Sequence, residues 1–205
     1  GKIARFSGMS EDSVILLSNA KTVYEVPLTV YASGIGPVLE RFTGNTVAPD
    51  LSKWRTLADA EETRFPQTVS VGMVAKYLDN EDTYISVLEA LKAAAWDEKV
   101  NLDLRWLNAE DVSDADLDAV DAILVPGGFG ERGVEGMINA AACALEHKKP
   151  YLGICLGLQT AVIAAARRAG LADATSTEFN PDTAHDVVYI MNGQKGKEST
   201  GGTLR

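Results

Sequence analysis

The sequence predicts an α/β fold built on a doubly wound, mostly parallel sheet. Three observations carry this. From Thr68 onward, apolar runs of strand length alternate with stretches of helical periodicity. The connections between them are short, as a chain of βαβ units requires. Two of the apolar runs end in glycine-rich turns, "VPGGFG" and "GICLG", which share one edge of the sheet.

In chain order, residues 1–45 hold a short strand candidate over Ile3–Phe6 and a helix around Glu11–Leu17. A strand-like "TVYEVPL" follows, then a helical stretch to about Phe42. Pro27 is expected to end or bend that strand, since it has no N–H to give a ladder. Residues 46–67 read as a linker carrying one charged helix, with Pro49 near its start and Pro66 closing it. Residues 68–205 then form the main domain. "TVSVGMV" is a β-branched strand, and "DTYISVLEALKAAAW" places Ile85, Leu88, Leu91 and Ala95 at helical spacing, with Asp82 and Thr83 as N-cap candidates. "VNLDLRW" alternates at period two, and "AVDAILVPGG" is a buried-strand run. "VEGMINAAACALEHKK" is helical, "PYLGIC" is again a strand, and "LGLQTAVIAAARRAG" is a helix closed by Gly170.

The totals bound the function. A chain of 205 residues that is 46% hydrophobic and 23% charged buries an ordinary globular core. Its net charge of -10 argues against general nucleic-acid binding, although anionic small substrates remain compatible with a local basic pocket. Two cysteines do not make a disulfide framework, which points to a reduced, cytoplasmic setting. No run approaches the roughly 18 apolar residues of a membrane span. Neither "GKIARF" nor "GGTLR" reads as a natural terminus, so a fragment of a longer protein is expected.

Cys155 sits in Gly-x-Cys-x-Gly between a strand and a helix, the layout of a nucleophile elbow. Gly153 and Gly157 supply the small neighbours that a sharp turn needs. The turn lifts the side chain above the carboxyl edge of the sheet, where open α/β folds bind ligands. The helix starting near Leu156 points its positive end at the sulfur and favours negative charge there, the form that attacks. The Leu156 amide and one from the Gly127–Gly128 turn are candidate oxyanion donors. A lone cysteine at such a place is ordinarily a small buried hydrophobe. Two glycine turns at one sheet edge reverse that preference. Cys143, inside an alanine-rich helical run, reads as inert, and His147 as a cap on a helix C-terminus.

"GICLGLQ" together with "VPGGFGERGVEG" resembles the class I (triad) glutamine amidotransferase domain of the CTP synthase family. "AKYLDNEDTYISVLEAL", "STEFNPDTAH" and "GGTLR" extend the likeness over the main domain. "KIARF" and "VYEVPL" extend it to the end of that family's synthase domain. The resemblance implies a flavodoxin-like amidotransferase domain over 68–205 and a partial α/β synthase segment over 1–45, joined by the linker. It implies that Cys155 attacks the glutamine amide, forms a glutamyl thioester and releases ammonia. The ammonia aminates UTP to CTP after ATP phosphorylates the uracil O4.

By the same resemblance, Gly128 and Leu156 form the oxyanion hole. Gly128, Phe129, Leu156, Gly157, Leu158, Gln159 and Glu178 bind glutamine. Arg132 lies in the lid-like glycine loop near the site where GTP activates. Lys2 and Phe6 belong to the UTP/CTP pocket. Ser18, Asn19 and Ala20 contact ATP, although relatives often carry Lys-Asp-Val there. Mg2+ and ATP would be held mostly by residues preceding Gly1, with no metal or cofactor in the glutaminase part. The intact enzyme would be a homotetramer. His185 aligns with a non-catalytic family histidine, and the family's His-x-Glu pair falls after Arg205, so the 205 residues alone are expected not to turn over glutamine efficiently. A non-catalytic assembly module and a different cysteine hydrolase on this fold remain alternatives.

Overall fold

Short helices, not strands, make up the start of the chain. The computed structural model describes residues 1–78 and 81–189. The chain divides into two units, Gly1–Arg64 and Phe65–Arg205. In the first, helix α1 (Lys2–Ser7) takes the place of the strand expected over Ile3–Phe6 and closes on Gly8 at φ 69°. The helix expected around Glu11–Leu17 is a single 3-10 turn, Glu11–Ser13, followed by irregular chain. "TVYEVPL" also departs from expectation. It forms a 3-10 turn, Val23–Glu25, and then helix α2 (Val26–Ala32). Pro27 is the reason: it lies in the first turn of α2, where a missing N–H is not needed and its fixed φ suits a helix. Helix α3 (Ile35–Thr43) matches the expected helical stretch. Helix α4 (Ser52–Glu62) packs on the Val23–Glu25 turn and on α2, and Glu62 pairs with Lys21 at 2.8 Å.

Strands and helices alternate along the second unit. Strand β1 (Gln67–Ala75) is followed by a 3-10 turn, Glu81–Tyr84, and helix α5 (Ile85–Asp97). Asp82 and Thr83 therefore lie inside that turn, and the residue preceding α5 is Tyr84. Strand β2 (Val100–Asn108) leads to helix α6 (Asp114–Asp118), which a reciprocal Ser113–Asp116 capping box opens. Strand β3 (Ala122–Val125), helix α7 (Val134–His147), strand β4 (Tyr151–Gly153) and helix α8 (Leu156–Arg168) complete the alternation. A short parallel pair, β5 (Thr175–Ser176) and β6 (Asp186–Val188), follows.

The main sheet has the order β2-β1-β3-β4, and every pair in it is parallel. Val71, Met73, Ala75 and Leu124 face a core shared with Leu91 of α5. Val74, Ile123 and Val125 face the opposite core, with Leu117 of α6, Met137 of α7 and Leu156 of α8. Burial on both faces is what the continuous apolar runs require. The chain leaves β1 toward β2 on one side and β3 on the other, so the strand order reverses between β1 and β3. That is the place where open α/β sheets form a crevice at their carboxyl ends.

Tyr151 ties β4 to α8 by donating its hydroxyl proton to the Gly157 carbonyl at 2.8 Å. Burial pushes its phenol up from the usual 10.0 to about 12, against a smaller downward pull from the Thr160 side chain. A raised phenol favours the folded chain while neutral, so this contribution is complete below pH 10.0 and is lost as the pH rises to about 12. Urea denaturation across that interval is expected to show a fall in stability of order 2 kcal/mol that Tyr151→Phe largely removes. An equal fall in the variant would contradict the assignment.

Candidate active site

Cys155 is the residue that precedes α8, with φ 54° and ψ -110°. Side chains other than glycine rarely accept such backbone angles, and they persist where the surroundings over-determine them. The surroundings here are backbone. A Cβ on Gly157 would run into the Val125 carbonyl, and one on Gly153 into the Gly157 carbonyl. The helix therefore lies directly on β3 and β4, and the chain can enter it only through a sharp bend. The bend leaves the Cys155 thiol exposed while Leu156 and Gly157 are buried. The first amides of α8 turn inward: Gly157 donates to the Ile154 carbonyl at 3.0 Å, and Leu158 and Gln159 donate to the Cys155 carbonyl at 3.0 and 3.2 Å. Among the described residues, no carbonyl accepts from the Leu156 amide.

The turn after β3 lies against this elbow. A Cβ on Gly127 would stand 3.4 Å from Cys155 Cβ and 3.9 Å from its Sγ. One on Gly128 would stand 3.3 Å from Lys76 Cδ and 3.5 Å from Leu156 Cδ2. The Gly128 amide likewise has no carbonyl partner among the described residues. The two candidate oxyanion donors thus belong to adjoining turns.

Lys76, which sequence reasoning passed over, organises the rest of the loop. It directly follows β1 and is only 3% exposed. Its Nζ donates to the Gly130 carbonyl and, at 3.2 Å, to the Phe129 carbonyl. Burial lowers its affinity for a proton, the Glu178 carboxylate raises it, and the Arg132 guanidinium lowers it again. Tyr77 clasps the same loop, its hydroxyl accepting from the Phe129 N–H at 3.2 Å. Arg132 donates to the Lys76 carbonyl at 3.2 Å and pairs with Glu110 at 3.2 Å. The available signal was a lysine directly after a mostly apolar strand, a place where full burial of a cation is rare.

The other expected residues divide by place. Phe129, on the glycine turn after β3, is 67% exposed, while Leu158 (exposed) and Gln159 (half-buried) follow the elbow in sequence. Glu178 is exposed, and its amide donates to Ser176 Oγ at 3.1 Å. Lys2 and Phe6 sit on α1, with Phe6 89% exposed. Ser18, Asn19 and Ala20 lie on irregular chain of the same unit. His185 precedes β6 as expected and pairs with Asp173 at 2.6 Å. His147, expected to cap α7, is its last residue and also pairs with Asp118 at 2.9 Å. No histidine among the described residues hydrogen-bonds Cys155. "GGTLR" lies outside the described residues.

Comparison with known proteins bears on this geometry. The profile of the family described as glutamine amidotransferase class-I matches residues 79–204. CTP synthase of Methanothermobacter thermautotrophicus is 42% identical over the whole chain, and that of Caldanaerobacter subterraneus subsp. tengcongensis is 45% identical. The chain spans 39% of the length of each of these relatives. Among solved structures, the glutaminase domain of Trypanosoma brucei CTPS with bound acivicin is similar, with a TM-score of 0.59 and 40% identity. That likeness covers 63% of this chain and 53% of the other.

Replacing Lys76 by Met keeps the aliphatic stem and removes the two donations to the loop. Hydrogen exchange of the 129–133 amides is expected to speed up by about tenfold or more, because opening then breaks fewer bonds. Overall stability should change little, since an apolar side chain of similar shape suits the buried site. Unchanged exchange in these amides would show that the lysine does not hold the loop.

Proposed function

The chain belongs to the class-I glutamine amidotransferase family, and we propose that it supplies the ammonia-releasing part of a glutamine-hydrolysing CTP synthase. The observation that carries this is Cys155, an exposed thiol on a strained elbow beside the turn that follows β3. Glutamine enters with its side-chain carbonyl directed at the Gly128 and Leu156 amides. Sγ attacks the amide carbon while the thiol proton passes to a base. The tetrahedral intermediate then expels ammonia, taking that proton, and leaves a glutamyl thioester. Water hydrolyses the thioester to glutamate and restores the thiol.

Phe129, Gly157, Leu158 and Gln159 are assigned to the walls of the glutamine pocket. Glu178 is assigned to the ammonium of the free amino acid, and its electrostatic influence on Lys76 supports a place near the glycine turn. Neither of the chain's two histidines hydrogen-bonds Cys155, their partners being Cys143 with Asp118 and Asp173, so the proton acceptor is assigned to neither.

The relatives named CTP synthase support the wider assignment, in which the ammonia aminates UTP to CTP. ATP phosphorylates the uracil O4, and ammonia displaces the phosphate. Residues 1–64 then belong to the synthase body. Their exposure supports this: Ala4 is their only buried hydrophobic, while Ile3, Phe6, Leu16 and Phe42 stand open, as surface that a larger domain covers. Lys2 and Phe6 are assigned to the UTP/CTP pocket, and Ser18, Asn19 and Ala20 to ATP through backbone groups. Mg2+ is assigned to ATP, GTP to activation at the loop bearing Phe129 and Arg132, and the whole assembly to a homotetramer in the cytoplasm.

Treatment with a diazo-ketone analogue of glutamine, followed by peptide mapping, tests the glutaminase assignment. Cys155 is expected to be alkylated and Cys143 spared. L-glutamine should slow the reaction, and Cys155→Ala should abolish it. Absence of alkylation at Cys155 would favour a regulatory or assembly module that keeps the fold without the chemistry.

A further inference from the structure

At the opposite edge of the sheet from Cys155 lies a second cluster of reactive side chains. Helix α7 runs back from the carboxyl edge, so its last turn, with Cys143 and His147, reaches the amino edge. Cys143 and His147 are four residues apart and share one face of the helix. That face meets the end of α6. His147 Nδ1 lies 2.9 Å from Asp118 Oδ1 and 3.5 Å from Cys143 Sγ, and Sγ lies 4.0 Å from Asp118 Oδ1. The three atoms all fall within 4.8 Å of one another.

We propose that Asp118, Cys143 and His147 form a binding site for a first-row divalent transition metal, zinc foremost. Around a tetrahedral zinc ion, sulfur, nitrogen and oxygen ligands stand about 3.3–3.6 Å apart. The sulfur–nitrogen separation of 3.5 Å already lies in that range, and the other two, 2.9 and 4.0 Å, differ from it by about 0.4 Å, within reach of rotation about the exposed Asp118 and His147 side chains. A thiolate, an imidazole and a carboxylate together select zinc over magnesium or calcium, which prefer oxygen alone. The last turns of α6 and α7 converge there, and the carbonyl end of α7 favours a cation.

The neighbours agree with three protein ligands and one open position. Asp114 accepts a hydrogen bond from Asn139 at 2.9 Å and is engaged. Lys149 is spent on the carbonyls of Leu117, Asp118 and Val120, at 2.8, 2.8 and 2.7 Å. It holds the end of α6, and with it Asp118, in place. Cys143 is 7% exposed, and burial, then the Asp118 charge, push its thiol up from the usual value. A bound metal displaces the thiol proton to solvent and takes the thiolate. The imidazole binds through Nδ1 with its proton on Nε2, and water fills the fourth position. The site is independent of the glutamine chemistry.

Cobalt titration of the chain carrying Cys155→Ala tests this, because the competing exposed thiol is then gone. One equivalent of Co2+ is expected to give tetrahedral d–d bands and a sulfur-to-cobalt charge-transfer band, both displaced by one equivalent of Zn2+. Cys143→Ser should abolish the charge-transfer band. His147→Gln and Asp118→Asn, at exposed positions that do not threaten folding, should each weaken binding by about tenfold or more. Absence of a charge-transfer band at equimolar cobalt would overturn the proposal. So would a band unaffected by His147→Gln and Asp118→Asn.

Discussion

The contact on which the rest of the site depends is backbone against backbone. Helix α8 lies so close to β3 and β4 that Gly157 sits on the Val125 carbonyl and Gly153 on the Gly157 carbonyl. No other side chain fits at either position. With the helix pinned there, the residue between the glycines must turn with a positive φ, and its side chain is carried outward into solvent. The strain at Cys155 is sustained by burial of Leu156, Ile163 and Ala164 along the same helix. The exposure of the thiol and the packing of the helix are thus two results of one approach distance.

Electrostatics complete what sterics begin. The glycine turn after β3 would be free to flex, since Gly130 has open space around it. Lys76, Tyr77 and Arg132 instead engage its carbonyl groups and neighbouring backbone. A buried ammonium costs desolvation free energy, and here the cost is offset by carbonyl partners and by the Glu178 carboxylate. With the carbonyls held on the Lys76 side, the Gly128 amide has no carbonyl partner among the described residues, as the proposed oxyanion role requires.

Much of the second unit was legible because burial on both faces of a parallel sheet writes itself as continuous apolar runs. The Gly-x-Cys-x-Gly pattern was legible because close helix–strand contact admits only glycine. The first unit was not. "TVYEV" carries β-branched and aromatic residues that favour strands, yet Pro27 and packing against α4 draw it into a turn and a helix. Propensity is a weak guide over so few residues. Lys76 was missed because its role lies in carbonyls more than fifty residues away in the chain. The Cys143–His147 spacing was visible as a helical pair, but Asp118 comes from another helix, and only the fold unites them.

The central claim is that the elbow presents the Cys155 sulfur to a carbonyl whose oxygen rests on two main-chain amides. A crystal structure of the protein alkylated by the diazo-ketone analogue tests this most directly. The account predicts a covalent bond from Sγ, with the ligand oxygen roughly 2.7–3.1 Å from both the Gly128 and the Leu156 nitrogens. A ligand oxygen directed to solvent, or a Gly128 amide turned away from the sulfur, would contradict it.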